Sequence, residues 1–172
     1  ITGTAILALL LWYLRVAKPR LVIPRRFTEG YGLPMKVANE TRNSLVITVD
    51  NGIAAIDAVK ELHAAEKNNI VVVLDHHLPG DSLPNADVIV DPHVQPEENG
   101  FCWYCGAGLA YKLAELILRK DNSSKALSLM KTLKVLACIG TIADVMPLIG
   151  DNRRIVKEGL AILNSDDRYR LP

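Results

Sequence analysis

Short apolar, β-branched runs alternate with amphipathic stretches along most of the chain. LVITVD at 45–50, IVVVLD at 70–75 and ADVIVD at 86–91 are the clearest runs. Continuous apolar runs of this length predict buried parallel strands, which do not show a one-sided alternation. Each of these three runs finishes on an acid: Asp50, Asp75 and Asp91. Between them, 53–67 places Ile53, Ile56, Val59 and Leu62 on one helical face. Further helices are predicted over 2–15, 106–119, 124–142 and 152–163, with a short one over 34–42. RLVI at 20–23 predicts another short strand, stopped by Pro24. Strands alternating with helices predict an α/β fold, a mainly parallel sheet with helices on both faces. Residues 1–164 are expected to form one domain and 165–172 the start of a linker.

Composition narrows the class. With 172 residues, 49% of them apolar and 23% charged, the chain can bury a sizeable core. Twenty Lys+Arg against 19 Asp+Glu leave no globally basic footprint for nucleic acid, although a local patch stays open. Three cysteines, an odd number, fit a reducing compartment better than a disulfide framework. ILALLLWYL at 6–14 is too short to span a bilayer and lacks a basic leader, so it reads as a buried helix and no membrane association is expected. The chain opens on ITGT without an initiator Met and runs straight into a helical pattern. The first strand of the domain is therefore expected to precede Ile1.

In open α/β sheets, ligands gather beyond the carboxyl ends of the strands. That rim would receive Asp50, and Asp75 with His76 and His77. Asp144, in GTIADVMPL after an apolar helix, joins the candidates. Carboxylate oxygen with imidazole nitrogen suits Mn2+ better than Ca2+, with Mg2+ or Zn2+ as alternatives. Two such ions about 3.5–4 Å apart can bind a phosphate oxygen, activate water and steady a leaving oxygen. Asp50, alone at a strand tip, is the natural bridge between them. Any one of these acids alone reads as a turn or helix cap; it is their combination that points to a metal site. Arg25, Arg26 and Tyr31 lie in a loop with Gly30 and Gly32, where arginine can fork onto phosphate and an aromatic can stack on a base. The plainer reading is a solvated loop. Gly106-Ala107-Gly108 either opens a phosphate-binding helix or packs closely on the sheet. Cys102 and Cys105 have redox spacing, but no second such pair exists, and His93 would not complete a zinc site. Cys138 is expected to be core filler and His63 to face solvent.

Taken in order, TVDNG at 48–52, DHH at 75–77 and ADVMPL at 143–148 resemble the second, third and fourth motifs of the DHH phosphoesterase superfamily. RFTEGYG at 26–32 and CGAGLAYKLAE at 105–115 resemble its RecJ-like branch of single-strand exonucleases. The resemblance spans nearly the whole chain. It implies a two-metal phosphodiesterase, usually Mn2+-dependent, that hydrolyses single-stranded DNA from the 5′ end in recombination and repair, in the bacterial cytoplasm. By the same resemblance Asp50 is the bridging ligand, and His76 and Asp144 are further metal ligands. His77 lies near the scissile phosphate, and Asp75 orients a histidine. The family's first motif, an Asp-x-Asp-Gly strand end, would precede Ile1, and its C-terminal nucleic-acid-binding domain would follow Pro172. The chain is thus expected to be an internal piece that does not complete its metal site alone. The rival expectations are a relative acting on short oligoribonucleotides or cyclic dinucleotides, and a non-catalytic nucleic-acid-binding module.

Overall fold

The structure, a computed structural model, describes residues 1–16, 19–30, 32–94 and 100–165. They fall into two compact units, Ile1–Leu21 with Trp103–Pro172, and Val22–Cys102.

The first unit is helical: α1 (Thr2–Tyr13), then three more helices after Trp103, α5 (Gly106–Leu118), α6 (Ser124–Ala143) and α7 (Gly150–Ser165). α1 buries Gly3, Ile6, Leu7 and Leu10, a stripe at helical spacing, and packs on α5 and α6. α7 buries Asn152, Ile155, Val156 and Gly159 against α6. α6 is one unbroken helix, long and apolar enough by length and composition to cross a membrane. Its Leu133, Ala137, Cys138 and Gly140 are nevertheless buried against the neighbouring helices, as in a core helix. Caps explain where these helices begin. Cys105 Sγ accepts from Gly108 N at 3.3 Å to start α5, and Ser123 Oγ accepts from Ala126 N at 3.2 Å to start α6. Tyr13 donates its hydroxyl to Asp121 Oδ2 at 2.6 Å, fastening the end of α1 to the turn before α6. Across the first turn of α7, Asp151 accepts from Tyr104 and pairs with Lys112 at 3.1 Å and Arg154 at 3.1 Å.

The second unit carries the sheet. Its elements are α2 (Arg26–Glu29), α3 (Met35–Glu40), β1 (Leu45–Val49), α4 (Ile56–Leu62), β2 (Ile70–Leu74) and β3 (Val88–Val90). The order is β1-β2-β3, all parallel, with Val49 opposite Leu74 and Leu74 opposite Val90. Val71 and Val73 pack with Ala38 of α3 and Ala58, Val59 and Leu62 of α4 to form this unit's core. Lys67 is buried there, donating Nζ to Ala38 O at 2.8 Å and pairing with Glu61. Asn69 ties the other edge, donating Nδ2 to Leu62 O and Thr41 O and accepting from Ser44 N.

The α/β class with a parallel sheet agrees with expectation, and two segments differ. The strand expected at 20–23 pairs with none of the described strands, and Leu21 and Ile23 are more than half exposed. Without a neighbour its backbone has no ladder to join. The helix expected over 53–67 is confined to Ile56–Leu62: a turn closing Ala55 N on Gly52 O at 3.0 Å precedes it, and a second turn, Lys67 N on Ala64 O at 2.8 Å, follows it. α7 continues through Ser165, and the rest of the expected linker lies outside the described residues.

Two outcomes follow from the helical unit. A Cβ added at Gly159 would stand 2.4 Å from Cys138 Cβ. Gly159→Ala should therefore cost about 1–3 kcal/mol in denaturant unfolding, as overpacked cores do. The Tyr104 hydrogen bond, with Arg154 and Lys112, holds Asp151 down to about 2, below its ordinary 3.8. A carboxyl depressed on folding adds stability above its unfolded pKa, and that stability fades as pH falls from about 4 toward 2. Asp151→Asn should lower the melting temperature at pH 7 and match the parent protein near pH 2.

Candidate metal centre

The strand register determines which side chains meet. Beyond the last paired residues, Asp50 N bonds Leu74 O at 2.9 Å and Asp75 N bonds Val90 O at 3.0 Å. Asp50, Asp75 and Asp91 thus emerge at one edge of the sheet.

Asp75 is buried, with 1% of its surface exposed, and accepts four hydrogen bonds. Oδ2 accepts from Ile53 N at 2.9 Å. Oδ1 accepts from His76 N at 2.8 Å, His77 N at 3.4 Å and His77 Nδ1 at 2.7 Å. This places the His77 proton on Nδ1 and leaves Nε2 on a ring that is 60% exposed. The turn that delivers Ile53 needs Gly52: φ is 120°, and a Cβ would lie 2.4 Å from Thr48 Oγ1.

Asp50 sits in the left-handed region, φ 64°, which turns its carboxylate off the strand direction. Its Oδ1 lies 3.0 Å from His76 Nε2. Burial works against ionisation of Asp50, but the His76 hydrogen bond and charge, helped by His77, outweigh it and hold the carboxyl below its usual range. The His76 and His77 ring centroids are 4.5 Å apart. One ligand atom from each of Asp50, His76 and His77 lies within 4.8 Å of the others. An anionic oxygen and two imidazoles converging at this range are a donor set that fits a divalent cation of borderline hardness.

The remaining candidates are placed by their own elements. Asp144 belongs to the helical unit, as the C-cap of α6, with its N–H on Gly140 O at 3.0 Å. Arg25 is the exposed N-cap of α2 and Arg26 its first residue; Tyr31 lies outside the described residues. Cys102, Cys105 and Cys138 are free thiols, and burial pushes the Cys105 and Cys138 thiols up, away from the reactive thiolate. His63 pairs with Asp87 at 2.9 Å.

Sequence reasoning gave too little weight to two residues. Phe27, beside the arginines, is fully exposed. Asp91 is buried, accepts from His93 N at 2.8 Å on Oδ1, and has no partner on Oδ2 among the described residues. Burial pushes its carboxyl up. The signal for Asp91 was there in its strand-end position, matching those of Asp50 and Asp75.

A model of the "DHH family, N-terminal domain" matches residues 1–141. The single-stranded-DNA-specific exonuclease RecJ of Bacillus subtilis is 40% identical over 152 residues, 87% of this chain and 18% of the relative. RecJ of Escherichia coli K12 is 34% identical over 171 residues, 93% of this chain and 29% of the relative. A crystal structure of exonuclease RecJ bound to manganese superposes with a TM-score of 0.79 at 38% identity, covering 95% of this chain and 41% of that one. RecJ from Thermus thermophilus in complex with Mn2+ gives 0.72 at 34% identity, covering 96% of this chain and 23% of that one. The chain therefore spans less than a third of the length of these curated relatives.

Asp75→Ala would strand the buried N–H of Ile53 and release His77. It should cost about 1–3 kcal/mol for that unsatisfied donor alone, read by urea unfolding. Asp75→Asn, which keeps a carbonyl acceptor, should recover part of the loss.

Proposed function

The chain belongs to the DHH family, and from that premise we propose that it forms the metal-binding part of an exonuclease that hydrolyses single-stranded DNA from the 5′ end. The observation that carries the reading is the convergence of Asp50, His76 and His77 within 4.8 Å at the carboxyl edge of a parallel sheet. Asp50 and His76, with Asp144 as a further ligand, would hold divalent cations, with Mn2+ preferred and Mg2+ an alternative. The names of the relatives support both the substrate and the metal. Two bound cations supply Lewis acidity toward a phosphodiester oxygen and acidify water.

The chain's own residues do the rest. Asp50, already favouring the charged form beside His76, has two carboxylate oxygens with which it would bridge the cations. Asp75 fixes the His77 ring through Nδ1. His77 Nε2, on an exposed ring, would take up a proton from solvent, and as imidazolium it would donate to a phosphate oxygen. Arg25, Arg26 and Tyr31 contact the DNA strand, the arginines through phosphate forks. Phe27, exposed on α2, offers a face on which a base can stack. The setting is DNA recombination and repair in the bacterial cytoplasm, in the company of repair proteins.

The test uses the complete gene product with Mn2+. Hydrolysis of 5′-labelled single-stranded DNA should exceed that of a linear or cyclic dinucleotide. Asp50→Ala should lower hydrolysis at least about a thousandfold, an effect of about 4 kcal/mol, and weaken Mn2+ binding in calorimetry. Preference for a dinucleotide would reassign the substrate. Absence of Mn2+ binding would turn the reading into a non-catalytic module.

A further inference from the structure

In the helical unit, a polar side chain occupies a position that an apolar one would fill. Asn152 opens the buried stripe of α7 and is fully enclosed. Its Nδ2 donates to Trp103 O at 2.6 Å and to Pro147 O at 3.1 Å, while Oδ1 has no partner among the described residues. Burying an amide is unfavourable unless its hydrogen bonds are met. A leucine would fill the same stripe without that burden, so the residue type answers to the two carbonyls it holds.

Pro147 stands three residues beyond Asp144, in the turn that leaves α6. Val145 in that turn has φ 54°, a left-handed conformation that is a true outlier for a β-branched residue. Val145 N bonds Ile142 O and Met146 N bonds Thr141 O, both at 3.1 Å. That is the Schellman pairing, in which glycine usually occupies the position Val145 has here. The Val145 side chain is 87% exposed, so packing does not offset the strain. Strain of this kind persists only where the surroundings hold it. Asn152 reaches this loop from outside the turn, through the Pro147 carbonyl.

We propose that Asn152 is a positioning residue for Asp144. By gripping the Pro147 carbonyl it keeps Val145 left-handed, and so fixes the direction in which Asp144, the adjoining C-cap, presents its carboxylate. Released from the clamp, Val145 relaxes toward extended backbone and the last turn of α6 loosens around Asp144. The inference rests on the reading of Asp144 as a metal ligand.

The test compares the complete gene product with Asn152→Ala, Val145→Gly, the double variant and Asp144→Ala, by Mn2+ calorimetry and metal-free melting. Asp144→Ala should weaken Mn2+ binding. Asn152→Ala should weaken it by about tenfold to a hundredfold, the usual loss when a ligand's supporting partner goes. Adding Val145→Gly should restore most of that affinity, because glycine holds a left-handed φ unaided. If Asn152→Ala is not recovered folded, Asn152→Ser carries the same expectations. A lowered melting temperature with unchanged Mn2+ affinity, or no rescue by Val145→Gly, overturns the clamp. Unchanged affinity in Asp144→Ala overturns instead the reading of Asp144 as a ligand.

Discussion

The Asp75 carboxylate ties the rim of the sheet together. One buried group takes the N–H of Ile53 on one oxygen, and the N–H groups of His76 and His77 with the His77 ring on the other. These donors come from the end of β2 and from the turn between β1 and α4. A buried carboxylate is tolerated only when its lone pairs are met, and here the residues that meet them are those the rim must position. Burial and function therefore place the same demand on this acid. An asparagine would keep the volume but lose one acceptor, and any apolar residue would leave Ile53 unsatisfied.

Parallel register does the next part of the work. Because Val49, Leu74 and Val90 stand in one row, the residues that follow them leave the sheet at the same level. No long loop has to be ordered to bring Asp50 to His76, so little conformational entropy is spent on assembling the pair. The left-handed φ of Asp50 then diverts its carboxylate toward the His76 ring, and aspartate is among the residues that adopt this region most readily. Gly52 completes the arrangement, since a side chain there would strike Thr48.

Much of this was legible beforehand. Continuous β-branched runs ending on acids located β1, β2 and β3 and their shared edge, and the stretches between loops, rich in alanine, leucine and other apolar residues, located α1, α5, α6 and α7. What the pattern could not carry was partner choice. RLVI at 20–23 has strand composition but no neighbour among the described strands, and composition does not report pairing. The helix expected from Ile53 starts at Ile56, after a turn that closes Ala55 N on Gly52 O and aims the Ile53 N–H at Asp75, 22 residues away, a tertiary contact invisible to local periodicity. Asn152 was readable in principle, as an amide on an otherwise apolar stripe. Val145 was not, since nothing in ADVMPL announces a left-handed valine.

The three strand-end acids show how one edge yields different chemistry from one residue type. Asp75 has four donors and is enclosed. Asp50 is partly open and leans on an imidazole, which keeps it anionic and available to a cation. Asp91 is enclosed and accepts from His93 N, and burial pushes its carboxyl toward the protonated form. Its neighbour Asp75 pushes in the same direction, because two enclosed carboxylates in adjacent positions repel when both are charged. The edge therefore favours negative charge at Asp50, where the side chain is open to solvent, and disfavours it at the enclosed Asp91. A uniformly charged rim would repel itself, and a uniformly neutral one would offer a cation nothing. The difference between Asp50 and Asp91 comes from the imidazole that Asp50 faces and from the burial that Asp91 undergoes.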